Sequence, residues 1–285
     1  MKPILKWPGG KSQIVQELKK YITPELLEGH TYIEPFIGGG ALAFDLEHPN
    51  TIISDLNPEL TNLYEVVKYN PEALIEELKK HQYMHCCADF ADDYYYDVRA
   101  WDRNPDFWHF ADSVAIAART VYLNKTCFNG LYRVNSKGYF NSPIGRSSSG
   151  KTPDIVQEEA IRELSKFLQT VSIRTGDYRA VLNGISPLPG DVIYLDPPYD
   201  KDEDIKTDGF VGYQKEGWSR HDLEIMKSEC DYWSRLGCKI VVSNNDTQFV
   251  RELFSDWRIH PVDVRRSINR NGDNRKGKEV IITNY

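Results

Sequence analysis

Short apolar runs, separated by turns that contain glycine or proline, recur along the chain and predict seven β-strands. They cover residues 31–34, 51–54, 171–175, 191–195, 239–243, 258–264 and 279–284. Apolar runs of this length, bounded by turn residues, are typical of strands buried in an α/β sheet. Helical patterns cover residues 12–21, 41–47, 58–69, 71–82, 111–124, 156–169 and 219–236. This order predicts an α/β fold with a seven-stranded, mostly parallel sheet and helices on both faces.

The second and third predicted strands are too far apart for a simple crossover. The second ends at residue 54 and the third begins at residue 171, whereas a crossover in such a sheet rarely needs more than one helix. We therefore expect an inserted, mainly helical domain at residues 57–155. Its second half, residues 126–151, is rich in Gly, Asn and Ser and is expected to form loops. Residues 1–56 and 156–285 would then form the sheet core.

The fourth predicted strand runs directly into Asp196-Pro197-Pro198-Tyr199. Open α/β sheets place their active sites at the carboxyl ends of the strands, and two consecutive prolines make the loop stiff. The loop therefore presents a carboxylate, backbone carbonyls and an aromatic ring in fixed positions. We expect Asp196 and the carbonyl of Pro197 to accept the two hydrogens of an amine on a flat ring, while Tyr199 stacks on that ring. The alternative is an ordinary turn in which Asp196 caps a helix.

The amine of adenine is one group that needs such a site. Its nitrogen lone pair is delocalised into the ring, which makes the amine a poor nucleophile. Two fixed acceptors favour a pyramidal nitrogen and stabilise the positive charge that the nitrogen gains as it attacks an electrophilic methyl group.

The first two predicted strands carry features of a site for a nucleoside-bearing cofactor. Gly38-x-Gly40-x-x-Ala43 follows the first strand and resembles a dinucleotide fingerprint, and Asp55 ends the second strand. Glycines allow the backbone to approach a ligand closely, and an acidic residue about 20 positions later can accept both ribose hydroxyls. This stretch alone does not separate NAD from S-adenosylmethionine.

Two further loops add to this site. Residues 7–11 form a glycine loop before a helix, where backbone N–H groups can hold an anionic group. The loop lacks the spacing of a nucleotide-hydrolysing P-loop. Asp177 and Tyr178 follow the third predicted strand, where they could meet an adenine ring by hydrogen bonding and stacking.

Composition describes a globular, soluble chain. The 285 residues are 40% hydrophobic and 27% charged, and no apolar run approaches the ~20 residues of a membrane span. The N-terminus lacks the apolar region of a signal peptide. The five cysteines include no C-x-x-C pair, so we expect neither a zinc site nor disulfides. We expect a cytoplasmic protein that uses no metal and needs no obligate protein partner.

The distribution of charge points to nucleic acid, although the net charge is −7. Residues 119–151 contain six basic residues and no acidic one, and residues 265–278 contain six basic residues and one Asp. The first segment also contains five aromatic residues: Tyr122, Phe128, Tyr132, Tyr139 and Phe140. Because binding to phosphates depends on local basic patches rather than net charge, we expect a double-stranded DNA partner. Solvated loops are the alternative interpretation.

At this point the residues resemble a known family, the Dam-type DNA adenine-N6 methyltransferases, in which the cofactor half precedes the D-P-P-Y half. The matching segments, in order, are K-W-P-G-G-K (6–11), E-P-F-I-G-G-G (34–40), D-x-N (55–57), N-G-L-Y-R-V-N (129–135), N-S-P-I-G-R (141–146), S-N-N-D-T (243–247) and V-R-R-S-I (264–268). The resemblance extends along most of the chain. It implies a Rossmann-like, S-adenosylmethionine-dependent methyltransferase that acts on adenine, usually within the palindrome GATC, and releases S-adenosylhomocysteine.

The resemblance also assigns residues to roles. The catalytic set is Asp196, Pro197 and Tyr199. The cofactor set is Trp7, Lys11, Glu34, Phe36, Gly38, Gly40, Asp55, Asp177, Tyr178 and Asp196. The DNA set is Lys6, Asn129, Leu131, Arg133, Asn135, Pro143 and Arg146, together with Arg265, Arg266 and Arg275 of a basic hairpin. In such a set, Arg and Lys would read guanine edges and apolar side chains the thymine methyl group.

The chain departs from the family pattern at two places, and two other functions are compatible with parts of it. Ser147 stands where family members often have an aromatic residue, and residues 200–204 make the loop after D-P-P-Y unusually acidic. A methyltransferase that acts on RNA or on a protein amide would use the same acceptor loop. A dinucleotide-dependent oxidoreductase would explain the glycine fingerprint but not the D-P-P-Y loop or the basic segments.

Overall fold

The computed structural model describes residues 1–7, 9–87, 91–146, 153–201, 218–265 and 276–285, with the backbone only at 265 and 276. Its strands are β1 (Tyr32–Glu34), β2 (Thr51–Asp55), β3 (Val171–Thr175), β4 (Val192–Leu195), β5 (Lys239–Asn245), β6 (Arg258–Arg265) and β7 (Lys276–Thr283). They form one sheet in the order β3-β2-β1-β4-β5-β7-β6. Strands β1 to β5 pair in parallel, and β7 is antiparallel to both β5 and β6. The predicted fold class and all seven predicted strands are confirmed.

The strand order creates a switch point between β1 and β4. From β1 the chain adds β2 and β3 on one side, and from β4 it adds β5 on the other side. Ligands of open α/β sheets bind in the crevice beyond the carboxyl ends of the strands at such a point. The D-P-P-Y loop follows β4 and therefore starts at this crevice.

The α-helices vary widely in length. They are α1 (Val15–Leu18), α2 (Pro24–Leu27), α3 (Ala41–Leu46), α4 (Pro58–Tyr69), α5 (Pro71–Cys86), α6 (Ala91–Ala100), α7 (Pro105–Phe110), α8 (Ser113–Thr126), α9 (Glu158–Leu168), α10 (Tyr178–Ile185), α11 (Arg220–Arg235) and α12 (Gln248–Leu253). Short 3₁₀ turns cover Lys11–Gln13, Trp101–Arg103 and Phe128–Gly130. The helix predicted at residues 12–21 is interrupted, with a 3₁₀ turn before the single turn of α1. Helices α2, α6, α7, α10 and α12 were not predicted from the sequence.

Helices cover both faces of the sheet, as predicted. Successive side chains of a strand point to opposite faces, and in β4 Tyr194 lies in one apolar cluster while Ile193 and Leu195 lie in the other. The first cluster includes side chains of α4, α5, α8 and α9. The second includes side chains of α10, α11 and α12.

The segment predicted as an insertion begins with a helix that packs on the sheet. In α4, the Thr61 hydroxyl lies 2.6 Å from that of Thr175 in β3, and Lys68 Nζ donates to the carbonyl of Val171 at 2.6 Å. Helices α5, α6, α7 and α8 follow, and α8 leads into residues 127–146, which are mainly loops, as expected. The boundaries at 57 and 155 stay a prediction.

Within the described ranges, no helix is long and apolar enough to cross a membrane. The same residues contain no cluster of three or more His, Cys, Asp or Glu side chains that could hold a metal ion. The five cysteines are free thiols.

Candidate active site

Acidic residues gather at the carboxyl edge of the parallel strands. Glu34 ends β1, Asp55 ends β2, Asp177 follows β3 and Asp196 follows β4. Parallel strands in register bring these positions to one edge of the sheet. The carboxylates predicted to bind cofactor and to act in catalysis therefore lie at the ends of neighbouring strands.

Asp196 is the central group of this edge. Lys11 Nζ lies 2.9 Å from its Oδ1, and Lys11 is itself buried. Burial raises the pKa of Asp196 to about 6, although the Lys11 ammonium acts in the opposite direction. The Lys11 ammonium offsets the cost of burying this carboxylate. A carboxylate offers about four acceptor sites, so Asp196 keeps acceptor capacity for an N–H group from a ligand.

The ring of Tyr199 lies beside the same ammonium. Lys11 Nζ is 4.4 Å from the ring centroid, within the range of a cation–π contact. The Tyr199 hydroxyl donates to Glu279 Oε2 at 3.1 Å, and burial and the neighbouring carboxylates raise the pKa of Tyr199 well above its ordinary value. Asp196 and Tyr199 of the predicted catalytic set thus converge on Lys11. Sequence reasoning did not identify Glu279.

Asp200 has a structural role at the start of the acidic stretch at residues 200–204. It is buried. Its carboxylate pairs with Arg220 at 3.0 Å and accepts from the Thr247 hydroxyl at 2.7 Å. Its backbone N–H donates to Asn244 Oδ1 at 2.9 Å. Asp200 thus anchors the end of the D-P-P-Y loop to β5 and α11, while residues 202–204 of the acidic stretch lie outside the described residues.

Asp55 is held in place by the glycine loop after β1, with which it was expected to form the cofactor site. Its Oδ2 accepts from the Gly38 N–H at 3.1 Å, and its Oδ1 accepts from the Asn57 N–H at 2.9 Å. Burial raises its pKa. A carboxylate offers about four acceptor sites, so these two bonds leave capacity for ribose hydroxyls.

The glycines after β1 are required by packing within the protein. A Cβ on Gly38 would lie 2.9 Å from Cδ1 of Trp7, and one on Gly40 would lie 2.2 Å from the ring of Phe44. Both glycines have positive φ, +48° and +72°, a region that favours glycine. Trp7 in turn stacks on Tyr132 at a centroid distance of 5.1 Å. The sequence predicted that these glycines allow a ligand to approach the backbone closely. The Trp7 ring is a second reason, because it leaves no room for a side chain at Gly38.

Glu34 is turned into the protein. It is buried, and its Oε2 accepts from the Tyr32 hydroxyl at 2.7 Å and from the Ala43 N–H at 3.1 Å. Burial, the largest cause, raises its pKa to about 8. These partners connect the end of β1 to the first turn of α3, so Glu34 holds the glycine loop in place.

A cluster of three aromatic rings lies beside the carboxyl end of β3. Phe36 lies 5.1 Å from Tyr178 and 5.8 Å from Trp218, measured between ring centroids. Asp177 caps α10 by accepting from the Arg179 N–H, and its carboxylate also pairs with the Arg179 guanidinium at 3.1 Å. Of the predicted pair, Tyr178 therefore meets Phe36 and Asp177 caps the helix beside it, while Trp218 was not predicted.

The predicted DNA-binding residues of the loop segment differ in their exposure and in what they contact. Lys6 is exposed, and its backbone exchanges two hydrogen bonds with the side chain of Asn124. Arg133 is half-buried, and its Nε donates to Asn141 Oδ1 at 2.7 Å. Asn135 uses its side-chain oxygen to accept from two backbone N–H groups of the following turn. Asn135 therefore shapes the loop, whereas Lys6 and Arg133 present cations near it.

The remaining predicted DNA residues are on or near the surface. Asn129 and Pro143 are exposed, and Leu131 is half-buried. Arg146 is 80% exposed and pairs with Asp92 of α6 at 2.8 Å. The side chains of Arg265, Arg266 and Arg275, and Ser147, lie outside the described residues.

Two expectations about the basic segment were wrong. Arg119 is only 1% exposed, with its guanidinium 3.1 Å from Glu59 and 2.9 Å from Asp102, so it cannot meet a phosphate. Among the interleaved aromatic residues, Tyr122, Tyr132 and Phe140 are buried in the core. A fully desolvated guanidinium needs such partners, and both acids lie outside the segment in which charges were counted.

The fold and the site together define a Rossmann-like methyltransferase with a D-P-P-Y loop at the switch point of its sheet. Comparison with known proteins gives the family. The model of the D12 class of N6 adenine-specific DNA methyltransferases matches residues 7–268, and the chain belongs to this family. The protein is therefore an adenine-specific DNA methyltransferase, which decides against the oxidoreductase and the other methyltransferase alternatives.

Relatives of similar length support this assignment. The chain is 37% identical to the type II methyltransferase M1.LlaDCHI of Lactococcus lactis over 288 residues, which cover 100% of this chain and 96% of the relative. It is also 37% identical to the type II methyltransferase M.MjaIII of Methanocaldococcus jannaschii, with 100% and 99% covered. It is 31% identical to the DNA adenine methylase of Haemophilus influenzae, with 98% and 92% covered.

Proposed function

We propose that the protein transfers a methyl group from S-adenosylmethionine to N6 of an adenine that is flipped out of duplex DNA, within GATC. The observation that carries the proposal is the pair formed by Asp196 and Tyr199. A largely buried carboxylate and an aromatic ring, both in contact with Lys11, lie at the switch point of the sheet. An amine on a flat ring satisfies both groups at once.

The residues at the edge fit a cofactor of this kind. The acceptor capacity of Asp55 suits the ribose hydroxyls, and the ring of Trp7 suits the sulfonium end through its face. Phe36 and Tyr178 offer aromatic surfaces for the adenine base, with Asp177 beside them. When bound, S-adenosylmethionine supplies an electrophilic methyl group on a sulfonium leaving group.

The protein's own groups orient the target amine. Asp196 and the Pro197 carbonyl accept its two hydrogens, and this favours the nitrogen geometry needed for attack. Extrusion of the base costs a few kcal/mol of lost stacking and pairing. Stacking on Tyr199 offsets part of that cost, because each base–aromatic contact contributes about 1–3 kcal/mol.

Selection of GATC is assigned to the surface formed by residues 127–146. Arg133 is held by Asn141, so its guanidinium is oriented before DNA arrives. An oriented guanidinium is suited to bidentate contact with a guanine edge. Lys6 and Arg146 add positive charge at the same surface, and the choice of GATC itself rests on family resemblance.

Sequencing tests both the chemistry and the site. Unmethylated plasmid DNA is incubated with the protein and S-adenosylmethionine, and single-molecule sequencing maps every modified adenine. We expect N6-methyladenine in GATC on both strands, and none with the Asp196→Ala variant, which should still bind DNA in fluorescence anisotropy. Methylation of a different motif would refute the GATC assignment only. Wild-type turnover by Asp196→Ala would refute the proposed role of that carboxylate.

Base flipping has its own readout. Replacing the target adenine by fluorescent 2-aminopurine should raise the emission on binding, because the base leaves the stack. The same probe one base pair outside the motif serves as the control. Equal emission from both duplexes would contradict extrusion of the target base.

A further inference from the structure

We propose that Glu279 is a positioning residue that orients the ring of Tyr199 and keeps the Tyr199 hydroxyl away from Asp196. The inference rests on the proposed function, because it assigns Tyr199 the task of stacking on the target adenine. Its starting point is the hydrogen bond from the Tyr199 hydroxyl to Glu279 Oε2 at 3.1 Å.

The backbone of Glu279 is fixed on both sides. It lies in β7, where its Cα is opposite Asn245 of β5 and opposite Val262 of β6. Because β7 is antiparallel to β5, its first half lies at the edge where the parallel strands end. A carboxylate on a strand with two neighbours is a more precise support than one on a loop.

Glu279 completes the restraint on the tyrosine. Asp200, the next residue in the chain, is bonded through its N–H to Asn244, which fixes the backbone beside Tyr199. Lys11 lies over the ring, and Glu279 holds the hydroxyl. A ring held at its backbone, its face and its hydroxyl has little freedom to rotate, so the stacking surface is in place before a base enters.

The hydrogen bond from Tyr199 to Glu279 also keeps Asp196 available as an acceptor for the substrate amine. The Tyr199 hydroxyl also lies within reach of Asp196. A hydroxyl has one hydrogen to donate, so donation to Glu279 leaves the Asp196 oxygens available for an amine. Without Glu279 the hydroxyl would turn to Asp196 and compete with the substrate.

The charges around Asp196 give a second, independent readout. Asp196 faces the cation Lys11 and the acids Glu34 and Glu279, and Glu279 raises its pKa. The hydroxyls of Tyr32, Tyr194 and Tyr199 are also near this group. Removing the charge of Glu279 should therefore move the acid limb of the rate profile to lower pH, whether or not the hydroxyl bond is kept.

A double-mutant cycle tests the inference. Single-turnover rates are measured with saturating DNA and cofactor for wild type, Glu279→Ala, Tyr199→Phe and the double variant. We expect Glu279→Ala to slow methyl transfer about three- to tenfold, less than the ~100-fold that a 1 Å misplacement of reacting groups can cost. At a pH above the acid limb, the same substitution should have no further effect in the Tyr199→Phe background, because the competing hydroxyl is gone. Glu279→Gln keeps an acceptor for the hydroxyl and should retain most of the rate, with the acid limb at lower pH.

Controls separate this role from folding and from the reaction itself. Asp263→Ala removes an exposed acid from β6 of the same hairpin and should leave the single-turnover rate unchanged, and thermal melts check that each variant folds. Rate losses that multiply in the double variant, or a wild-type rate for Glu279→Ala, would overturn the inference while adenine methylation by wild type still stands. Absence of adenine methylation in the wild-type samples would overturn the proposed function and the inference with it.

Discussion

Replacing Lys11 with methionine should make methyl transfer strongly dependent on pH near neutrality. Asp196 can accept the amine hydrogens only as a carboxylate, and burial raises its pKa to about 6. The Lys11 ammonium at 2.9 Å favours the ionised form. Methionine keeps a side chain of similar length but removes the charge, so Asp196 should hold its proton to higher pH.

The 2.9 Å distance between Lys11 Nζ and Asp196 Oδ1 sets the size of the expected pKa change. With a pKa of about 6, Asp196 is roughly 90% ionised at pH 7. An opposite charge this close lowers the pKa of a carboxyl group by about 1 to 3. Losing it should move the midpoint of the acid limb upward by about one to three pH units. For a midpoint two units higher, the rate at pH 7 falls about tenfold and recovers by about pH 9.

Single-turnover rates between pH 5 and 9 measure this effect, at two cofactor concentrations so that weaker cofactor binding is not mistaken for it. Lys11→Arg keeps the charge and is the matched control, with an acid limb close to that of wild type. A Lys11→Met variant that is slower by the same factor at every pH would refute the electrostatic role and leave Lys11 as a binding residue only.

Three further changes are expected to have separate effects. Asp55→Ala should weaken S-adenosylhomocysteine binding by about 1.5–3 kcal/mol in calorimetry, the range for hydrogen bonds to a charged group; unchanged affinity would move the ribose contact elsewhere. Glu34 has a pKa of about 8 in the fold against an ordinary 4.5, so wild-type stability should fall as pH rises between these values. Glu34→Gln should reduce that slope, with the part that Asp55 and Asp196 contribute remaining, and be more stable at pH 8 by roughly 3–5 kcal/mol in denaturant unfolding, and an unchanged slope would contradict this. Arg133→Ala should relax recognition at one base pair by about 1–3 kcal/mol, and an equal loss on all sequences at two salt concentrations would make Arg133 a phosphate contact.

The fold was predictable where the pattern was strong. The fully buried β4 gave an uninterrupted apolar run, and long helices such as α4 and α11 gave clear periodicity. Helix α6 shows why others were missed, because only Tyr95 and Val98 of its ten residues are buried. Helix α10 begins at Tyr178 and is capped by Asp177. The sequence marks both residues as candidate ligand contacts, and for that reason the start of the helix was not recognised.

The carboxyl edge was predictable because its residues follow parallel strands. A residue that ends one strand meets the residue that ends the next, which brought Asp55 and Asp196 to one edge of the sheet. Glu279 could not be found in this way. It lies in the first half of an antiparallel strand, and its place opposite Asn245 depends on a register that the sequence does not reveal.

Counting charges along the chain failed for a different physical reason. The stretch 119–151 looked uniformly basic, yet Arg119 is neutralised by Glu59 and Asp102, which lie outside it. The same Glu59 accepts from the Tyr132 hydroxyl at 2.9 Å, and Asp102 accepts from the Phe140 N–H at 2.7 Å. These acids therefore hold the inner side of the loops that carry Arg133 and Asn141. Burying the charges there costs desolvation that only several partners can offset, and the result is a well-connected inner layer beneath the proposed DNA-binding surface.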